Sequence, residues 1–544
     1  MTTASIFHSS GRQERTRIVS LPHTFERMDY KGFPTELLLL IIDKIERDED
    51  LLLLATASRL LHDLCLKEYF TRIEFDPTSK DLQLNSQNGT LKNLAGLAIA
   101  LDVVGASLDY LSYDFGYINH QAQLVQEVRL LVQFVRKLSS IDRVSLRLAT
   151  HYESSGNPTE WRGRSIILLR DVLQKNCKNI HITTSQLSSF SEEPKSLRSP
   201  RPGDWLKGYW PDGVQPLTNR SKCLQICSIQ TFPTFLRPFY YHTLEFNASI
   251  LTVLAFKNLF GSGNDWAVMM TNLHFPRLTR LAVNYGVIPR DPMIKFLVKH
   301  TSIADFEYHH IRYEPRPKHP ARMNKTSALE RLHTLTTSPE HILNFLPPLG
   351  KMSVLTNITI IIQELVTNFS SLDGALRCLT SCVNKITLSL EITRTGLGFG
   401  AWLDTIVRNG LNSSGRPESQ LGCVETLVMD NGDWGFTDEQ ILTRLPTWLR
   451  LFPALRVLTL KHGGTSPRPM SSFEESGVIN ALKDACPGVY IEWQNRVPAS
   501  RPWDSYTAPP GRIISNSDIR PNWNSHRRAR LVYISLPTHS KTKK

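Results

Sequence analysis

The feature that most constrains this chain is an apolar triplet that returns at a nearly fixed step. Leu251-x-x-Leu254-x-Phe256 is followed by Leu278-x-x-Leu281-x-Val283 and Ile303-x-x-Phe306-x-Tyr308. A looser Leu329-x-x-Leu332 comes next, then Leu355-x-x-Ile358-x-Ile360 and Val383-x-x-Ile386-x-Leu388. The first positions step by 27, 25, 26, 26 and 28 residues. A lone triplet arises by chance at about one start in forty, given ordinary apolar usage. The near-constant step is the signal. Further copies begin at Val424, Leu455 and Val489, and Ile141-x-x-Val144-x-Leu146 fits as an early one. Each unit supplies a short strand whose alternate residues point inward, then a return segment. No unit can bury its apolar side alone, so neighbours must stack into a solenoid.

A period of roughly 20–29 residues is that of leucine-rich repeats, and the array resembles that family. The family places Asn or Cys three residues after the last apolar position, where it bonds backbone in the turn. Those places here hold Leu259, Gly286, Ile311, Thr337, Gln363, Glu391, Gly432 and Gly463. The resemblance therefore implies a divergent array with irregular turns. Insertions are expected at Ser188–Ser221, Arg312–Ser327, Gly410–Gly422 and His462–Ser472. A generic α/β domain with evenly spaced strands would also fit the pattern.

A second region, Phe33–Phe75, reads differently. Phe33-Pro34 is a turn, and Pro34 suits the start of a helix because its missing N–H costs little there. Thr35 is the expected N-cap. Leu37, Leu38, Ile41, Ile42 and Ile45 recur at helical spacing. Asp48-Glu49-Asp50 opens a second helix, where negative charge suits the N-terminal dipole, and that helix carries Leu51 to Leu54. Ser58-Arg59 interrupts it. A third helix runs through Leu60, Leu61, Leu64, Leu66 and Phe70. A unit this small stands at the edge of independent stability. Its apolar surplus implies either a partner surface or core facing the rest of this chain.

This segment resembles an F-box, the helical module that docks on the Skp-type adaptor of cullin-RING ubiquitin ligases. Phe33-Pro34, Glu36-Leu37, Ile41, Leu51 to Leu54 and Ser58-Arg59 match the family's order and spacing. The ending LCLKEYFTRIEF is similar to F-boxes of fungal proteins. Two departures are visible: Ala57 precedes Ser58 where many F-boxes have Val, and the later Trp is missing. The resemblance implies that Phe33, Pro34, Leu37, Leu38, Ile41, Leu51, Leu54, Ser58 and Leu61 bind the adaptor and, through it, a cullin. Glu36 and Ser58 would cap or orient helices.

Charge says little about nucleic acid. The net charge is +13, but residues 496–544 hold 10 Lys+Arg and 2 Asp+Glu. The rest of the chain holds 53 basic and 48 acidic residues. The basicity therefore sits in a Pro-, Ser- and Asn-rich tail, which reads as disordered and solvated. No apolar run approaches the length of a membrane span, and Met1–Ser20 lacks the apolar core of a signal peptide. Eight cysteines in 544 residues are too sparse for a disulfide scaffold. They read as reduced thiols of a cytoplasmic or nuclear protein.

No constellation of catalytic residues stands out. Gly396-Leu397-Gly398-Phe399-Gly400 approaches a dinucleotide loop, but its third glycine falls one residue early and Phe399 would crowd a pyrophosphate. A repeat turn is the better reading, and no cofactor is expected. Cys223 with Cys227, and Cys378 with Cys382, are spaced more widely than structural zinc prefers. Buried thiols are expected there, and no metal. The rings of His309-His310 point to opposite faces of a strand, so they make a poor ligand pair.

The expected fold class is α/β: a three-helix F-box, then a divergent leucine-rich-repeat solenoid with short parallel strands and helices. The expected segments are a disordered 1–32, an F-box at 33–75, a helical connector at 76–140, repeats at 141–495 and a basic disordered tail at 496–544. The expected function is a non-catalytic substrate receptor of a Skp-cullin-F-box ligase whose repeats hold an unidentified protein target. Candidate target contacts are outward strand residues: Arg280, Ala282 and Asn284; Asp305, Glu307 and His309; Asn357, Thr359 and Ile361. The alternative is a repeat scaffold unrelated to ubiquitin, its N-terminal helices capping the solenoid.

Overall fold

The computed structural model describes residues 34–495 except 87–89, 101–104, 117–120, 149–157, 185–221, 231–235, 260–262, 289, 313–328, 345, 347–348, 350–351, 364–368, 394–396, 413–420, 431–438 and 463–471. Phe33, the N-terminal segment 1–32, the tail 496–544 and most of the four expected insertions lie outside the described residues.

The chain begins with α1 (Thr35–Asp43), α2 (Asp48–Ala55) and α3 (Arg59–Arg72). Strands and helices follow: β1 (Asp81–Asn85), α4 (Thr90–Ile99), β2 (Ser107–Asp114), α5 (Gln121–Lys137), β3 (Ser140–Leu148), α6 (Pro158–Leu173), β4 (Asn179–Thr184) and β5 (Ile226–Gln230). Next come α7 (Arg237–Asn247), β6 (Val253–Leu259), α8 (Gly263–Asn272), β7 (Arg280–Val287), α9 (Arg290–Lys299), β8 (Asp305–Arg312) and β9 (Thr334–Thr337). The series continues with α10 (Pro339–Asn344), β10 (Asn357–Gln363), α11 (Phe369–Leu379), β11 (Ile386–Thr393) and α12 (Leu397–Asn412). It closes with β12 (Val424–Asp430), α13 (Glu439–Leu449), β13 (Val457–His462), α14 (Ser472–Ala485) and β14 (Tyr490–Asn495).

The 14 strands form one parallel sheet whose spatial order is chain order. Parallel neighbours need a crossover, and a helix is the usual one. Successive helices pack on each other in the same order, α4 on α5, α5 on α6, α8 on α9 and α12 on α13. This is a solenoid-like α/β fold.

The core is two continuous apolar rows between sheet and helices. One row runs from Leu82 through Leu111, Leu254, Leu281, Phe306 and Leu388 to Ile491, each residue paired in register with the next strand. The other runs two residues further along, from Leu84 and Tyr113 through Phe256, Val283 and Tyr308 to Leu460. Every residue named in the two rows is buried. Each strand contributes only two or three inward side chains, so no repeat has a core without its neighbours.

The expected connector at 76–140 is corrected by the structure: β1 and β2 belong to the same sheet, so the array starts at Asp81. Its first complete triplet, Leu108-x-x-Leu111-x-Tyr113, ends on a tyrosine whose hydroxyl donates to the buried Glu127 at 2.7 Å. Three frames also move. At β9 the inward residues are Leu335 and Thr337, not Leu329 and Leu332. Thr337 fits because its hydroxyl donates to the Tyr308 carbonyl at 2.7 Å. At β11 they are Leu388, Leu390 and Ile392, and Val383 is exposed in the preceding turn. The apolar Ile386 misleads there because the register shifts just after it. At β14 the inward residues are Ile491 and Trp493, so that copy is not framed on Val489.

Candidate functional site

The three N-terminal helices sort their leucines into two groups. Leu38 and Ile42, one turn apart on α1, are buried, as are Leu51 and Ala55 on α2 and Leu61 and Cys65 on α3. These hold the helices together. The opposite face is open: Leu37 is 46 % exposed, Leu40 60 %, Ile41 50 % and Leu53 66 %. Leu39 and Leu60 are also exposed. Leu37, Leu40 and Ile41 share one helical face at the i, i+3, i+4 spacing.

Backbone and side-chain bonds fix this arrangement. The helix begins at Thr35 with Pro34 in the N-cap position and no side-chain cap, which corrects the expected Thr35 cap. Ser58 does cap α3, its hydroxyl accepting the Leu61 amide at 3.2 Å. The Arg72 guanidinium reaches back to the end of α1 and donates to the carbonyls of Ile45 and, at 3.1 Å, Ile42. The Ile42 carbonyl also accepts the Ile45 amide at 3.1 Å, so Arg72 adds a second donor at the helix terminus. His62 Nδ1 lies 2.9 Å from the Ala55 carbonyl and closes α2 in the same way.

The module is also seated on the solenoid. The Tyr69 hydroxyl donates to the Lys92 carbonyl at 2.7 Å, and Lys92 pairs with Asp48 at 2.6 Å. Gly96 on α4 faces the rings of Phe70 and Tyr69, and a Cβ there would meet Phe70 at 2.8 Å. Only glycine permits that approach. The exposed leucines thus stand on a fixed base.

Of the nine residues expected to bind a partner, Pro34, Leu37 and Ile41 are exposed, and Leu54 and Ser58 half-buried. Leu38, Leu51 and Leu61 are sealed inside the chain, so they support the surface and do not form it. Phe33 lies outside the described residues. Sequence reading missed Leu39, Leu40, Leu53 and Leu60, because periodicity alone does not say which of two apolar faces is turned out. The polar rim is acidic: between Pro34 and Phe75 there are 9 Asp+Glu against 5 Lys+Arg. Burial pushes the Cys65 thiol up to about 11, so the module carries no activated thiol there.

The sheet face turned away from the helices also departs from expectation. Arg280, Asp305, Glu307 and Thr359 are half-buried and Asn357 is exposed, but Ala282, Asn284, His309 and Ile361 are buried. Asn284 Nδ2 donates to Glu307 Oε1 at 2.9 Å, and His309 Nε2 lies 3.0 Å from the same oxygen. Burial alone would raise the Glu307 carboxyl. The His309 bond, the nearby Lys257 charge and the Asn284 bond outweigh it and hold the group at about 2. Glu307 is therefore a fixed anion within a polar network, not a freely solvated strand residue.

Gly398 and Gly400 lie inside the first turn of α12, and Phe399 is buried against Trp402. Gly396 is outside the described residues. Among the described residues, both glycines are helical. Among the described residues no group of three or more His, Cys, Asp or Glu side chains has metal-binding geometry, and no helix is long and apolar enough to cross a membrane. No protein-family model matches the chain, and no curated protein matches it.

Proposed function

We propose that this chain is a substrate receptor of a Skp-cullin-F-box ubiquitin ligase, with α1–α3 as the F-box and the solenoid as a divergent leucine-rich-repeat target-binding domain. The observation that carries the reading is the open apolar face of Leu37, Leu40, Ile41 and Leu53 on a module whose inner face is already packed. A contiguous apolar patch on a rigid surface marks an interaction site. A Skp-type adaptor would cover these side chains. The adaptor would then bring a cullin, and the solenoid would hold a protein target near the ubiquitin-loaded enzyme, raising its effective concentration. In this role the chain performs no chemistry itself.

The contacts of Tyr69, Asp48 and Phe70 with α4 favour a second reading, in which α1–α3 only cap the first repeat of a binding scaffold. The two readings separate at the outer face. Co-purification with a recombinant Skp-type adaptor should succeed for the wild-type chain. Ile41→Asp should weaken it by about 2 kcal/mol or more, as at a buried interface anchor. Ile41 is half-exposed, so the fold should tolerate the change. Retention of the adaptor at wild-type strength by Ile41→Asp rejects the docking assignment.

A further inference from the structure

A cavity of about 790 Å³ opens where α3 meets the first strands of the sheet. Its floor is apolar: Phe70 of α3, Phe75 of the turn that follows, Leu82 of β1, Leu108 of β2 and Phe134 of α5. The rings of Phe70 and Phe75 stand 5.8 Å apart between centres and are tilted by 37°. Packed interiors leave few voids larger than a water molecule. A space of this size, walled by aromatic and aliphatic groups, falls among small-molecule sites, which span roughly 300–1,000 Å³.

The polar part of the lining is rich in acceptors. It includes Asp63, Lys67 and Thr71 on α3, and Asp76, Thr78 and Ser79 in the turn before β1. The three hydroxyls have already committed their protons. Thr71 Oγ1 donates to the Lys67 carbonyl at 2.8 Å, Thr78 Oγ1 to Asp76 Oδ1 at 2.6 Å, and Ser79 Oγ to the Asp81 carbonyl at 3.0 Å. What they have left to offer is lone pairs, and the two carboxylates offer nothing else. Asp76 Oδ1 also accepts the Thr78 amide at 2.9 Å, and these bonds hold its carboxyl below the ordinary carboxylate range. Lys67 is the one cation among these six residues. It stands one helical turn from Asp63, whose charge offsets it, and the Asp76 charge is left over.

We propose that this cavity is a binding site for a small amphipathic amine, with an aromatic body against the floor and a protonated nitrogen among the acceptors. Burial of the body supplies most of the affinity. The ammonium brings the donors that this lining lacks, and its bonds to a carboxylate are charge-assisted. A carboxylate head in the same place meets Asp63 and Asp76 as like charges. The bound molecule touches α3 on one side and β1, β2 and α5 on the other, so it braces the three-helix module against the solenoid. The site is independent of whatever covers Leu37, Leu40 and Ile41, none of which lines it.

The test uses the full chain and three probes of one shape: biphenylmethylamine, biphenylmethanol and biphenylcarboxylate. Each is titrated at neutral pH and followed by ligand-observed NMR. The expected result is saturable binding of the amine, about tenfold weaker binding of the alcohol, as loss of one charge-assisted hydrogen bond gives, and no binding of the carboxylate. Ala106, half-buried just before β2, lines the cavity. Ala106→Phe fills that space and should abolish amine binding. Asp63→Asn combined with Asp76→Asn leaves the floor intact and should bring the amine down to the affinity of the alcohol. Undiminished amine binding by folded Ala106→Phe protein overturns the location. Equal affinity for amine and alcohol in the wild type, or tighter binding of the carboxylate, overturns the ligand class, and so does an amine preference that survives the double substitution. No saturable binding of any probe overturns the whole proposal.

Discussion

The three-helix module and the solenoid use the same leucines and isoleucines to opposite ends. In the solenoid, Leu254, Leu281 and Leu388 sit in continuous rows and are buried. In the module, Leu37, Leu40, Ile41 and Leu53 sit on helices as regular as any in the chain, yet stay open to water. The difference lies in what stands opposite each face. A repeat strand always has a neighbouring strand in register and a helix above it. Among the described residues, the module packs against the solenoid on its inner side, where α3 meets α4. Stacking closes the one surface, and among the described residues no further unit covers the other.

The contrast breaks most sharply on paired truncations. Leu281→Ala should cost about 2–5 kcal/mol, because it leaves a cavity in a row that cannot collapse. Leu40→Ala should stay within about 0.5 kcal/mol of wild type, as an exposed substitution does. Urea unfolding midpoints measure both. A Leu40→Ala loss equal to that of Leu281→Ala would show that the outer face of α1 is covered in the isolated chain.

Acid probes the closed region alone. His300 follows α9, is 1 % exposed, and stacks on Phe296 at 3.9 Å between ring centres. Its Nε2 accepts the Phe275 amide at 2.8 Å, which requires that nitrogen to be unprotonated. Burial holds the group down at about 4, below its ordinary 6.5. As pH falls, the unfolded chain therefore takes up this proton first. The stabilisation is complete above pH 6.5 and is lost between 6.5 and 4, by roughly 3 kcal/mol at 1.36 kcal/mol per unit. His181, held at about 3 by burial and by Lys257, adds to the loss in the same direction. Thermal midpoints across this range should fall for wild type and fall less for His300→Gln. Equal slopes would remove His300 from the account.

These outcomes bear on what sequence can reveal. The repeat step was legible because each strand must offer the same two inward positions, so the pattern survives irregular loops. It failed where a polar atom had found a partner: Tyr113 on Glu127, and Thr337 on the Tyr308 carbonyl. Both residues serve the core, and Thr337 does not read as apolar. It also failed at Val383, where a chance valine preceded a register shift. The extent of α1, α2 and α3 was legible to within a residue or two. Which leucines face out was not, because that depends on how α1 and α2 pack on α3, which their apolar spacing leaves open.

The smallest test separates shaping the module from forming its surface. Ser58 is half-buried, and its hydroxyl accepts the Leu61 amide at the start of α3. Ser58→Ala leaves that amide without its cap and should cost about 1 kcal/mol of stability. The cap bonds within α3, and α1 keeps its own hold through the Arg72 bonds to Ile42 and Ile45. Adaptor affinity should therefore stay within about twofold of wild type below the unfolding transition, whereas Ile41→Asp should lose affinity without losing stability. If Ser58→Ala weakens the adaptor as much as Ile41→Asp does, the serine belongs to the surface itself. The boundary between support and contact would then move from the leucine rows to the turn between α2 and α3.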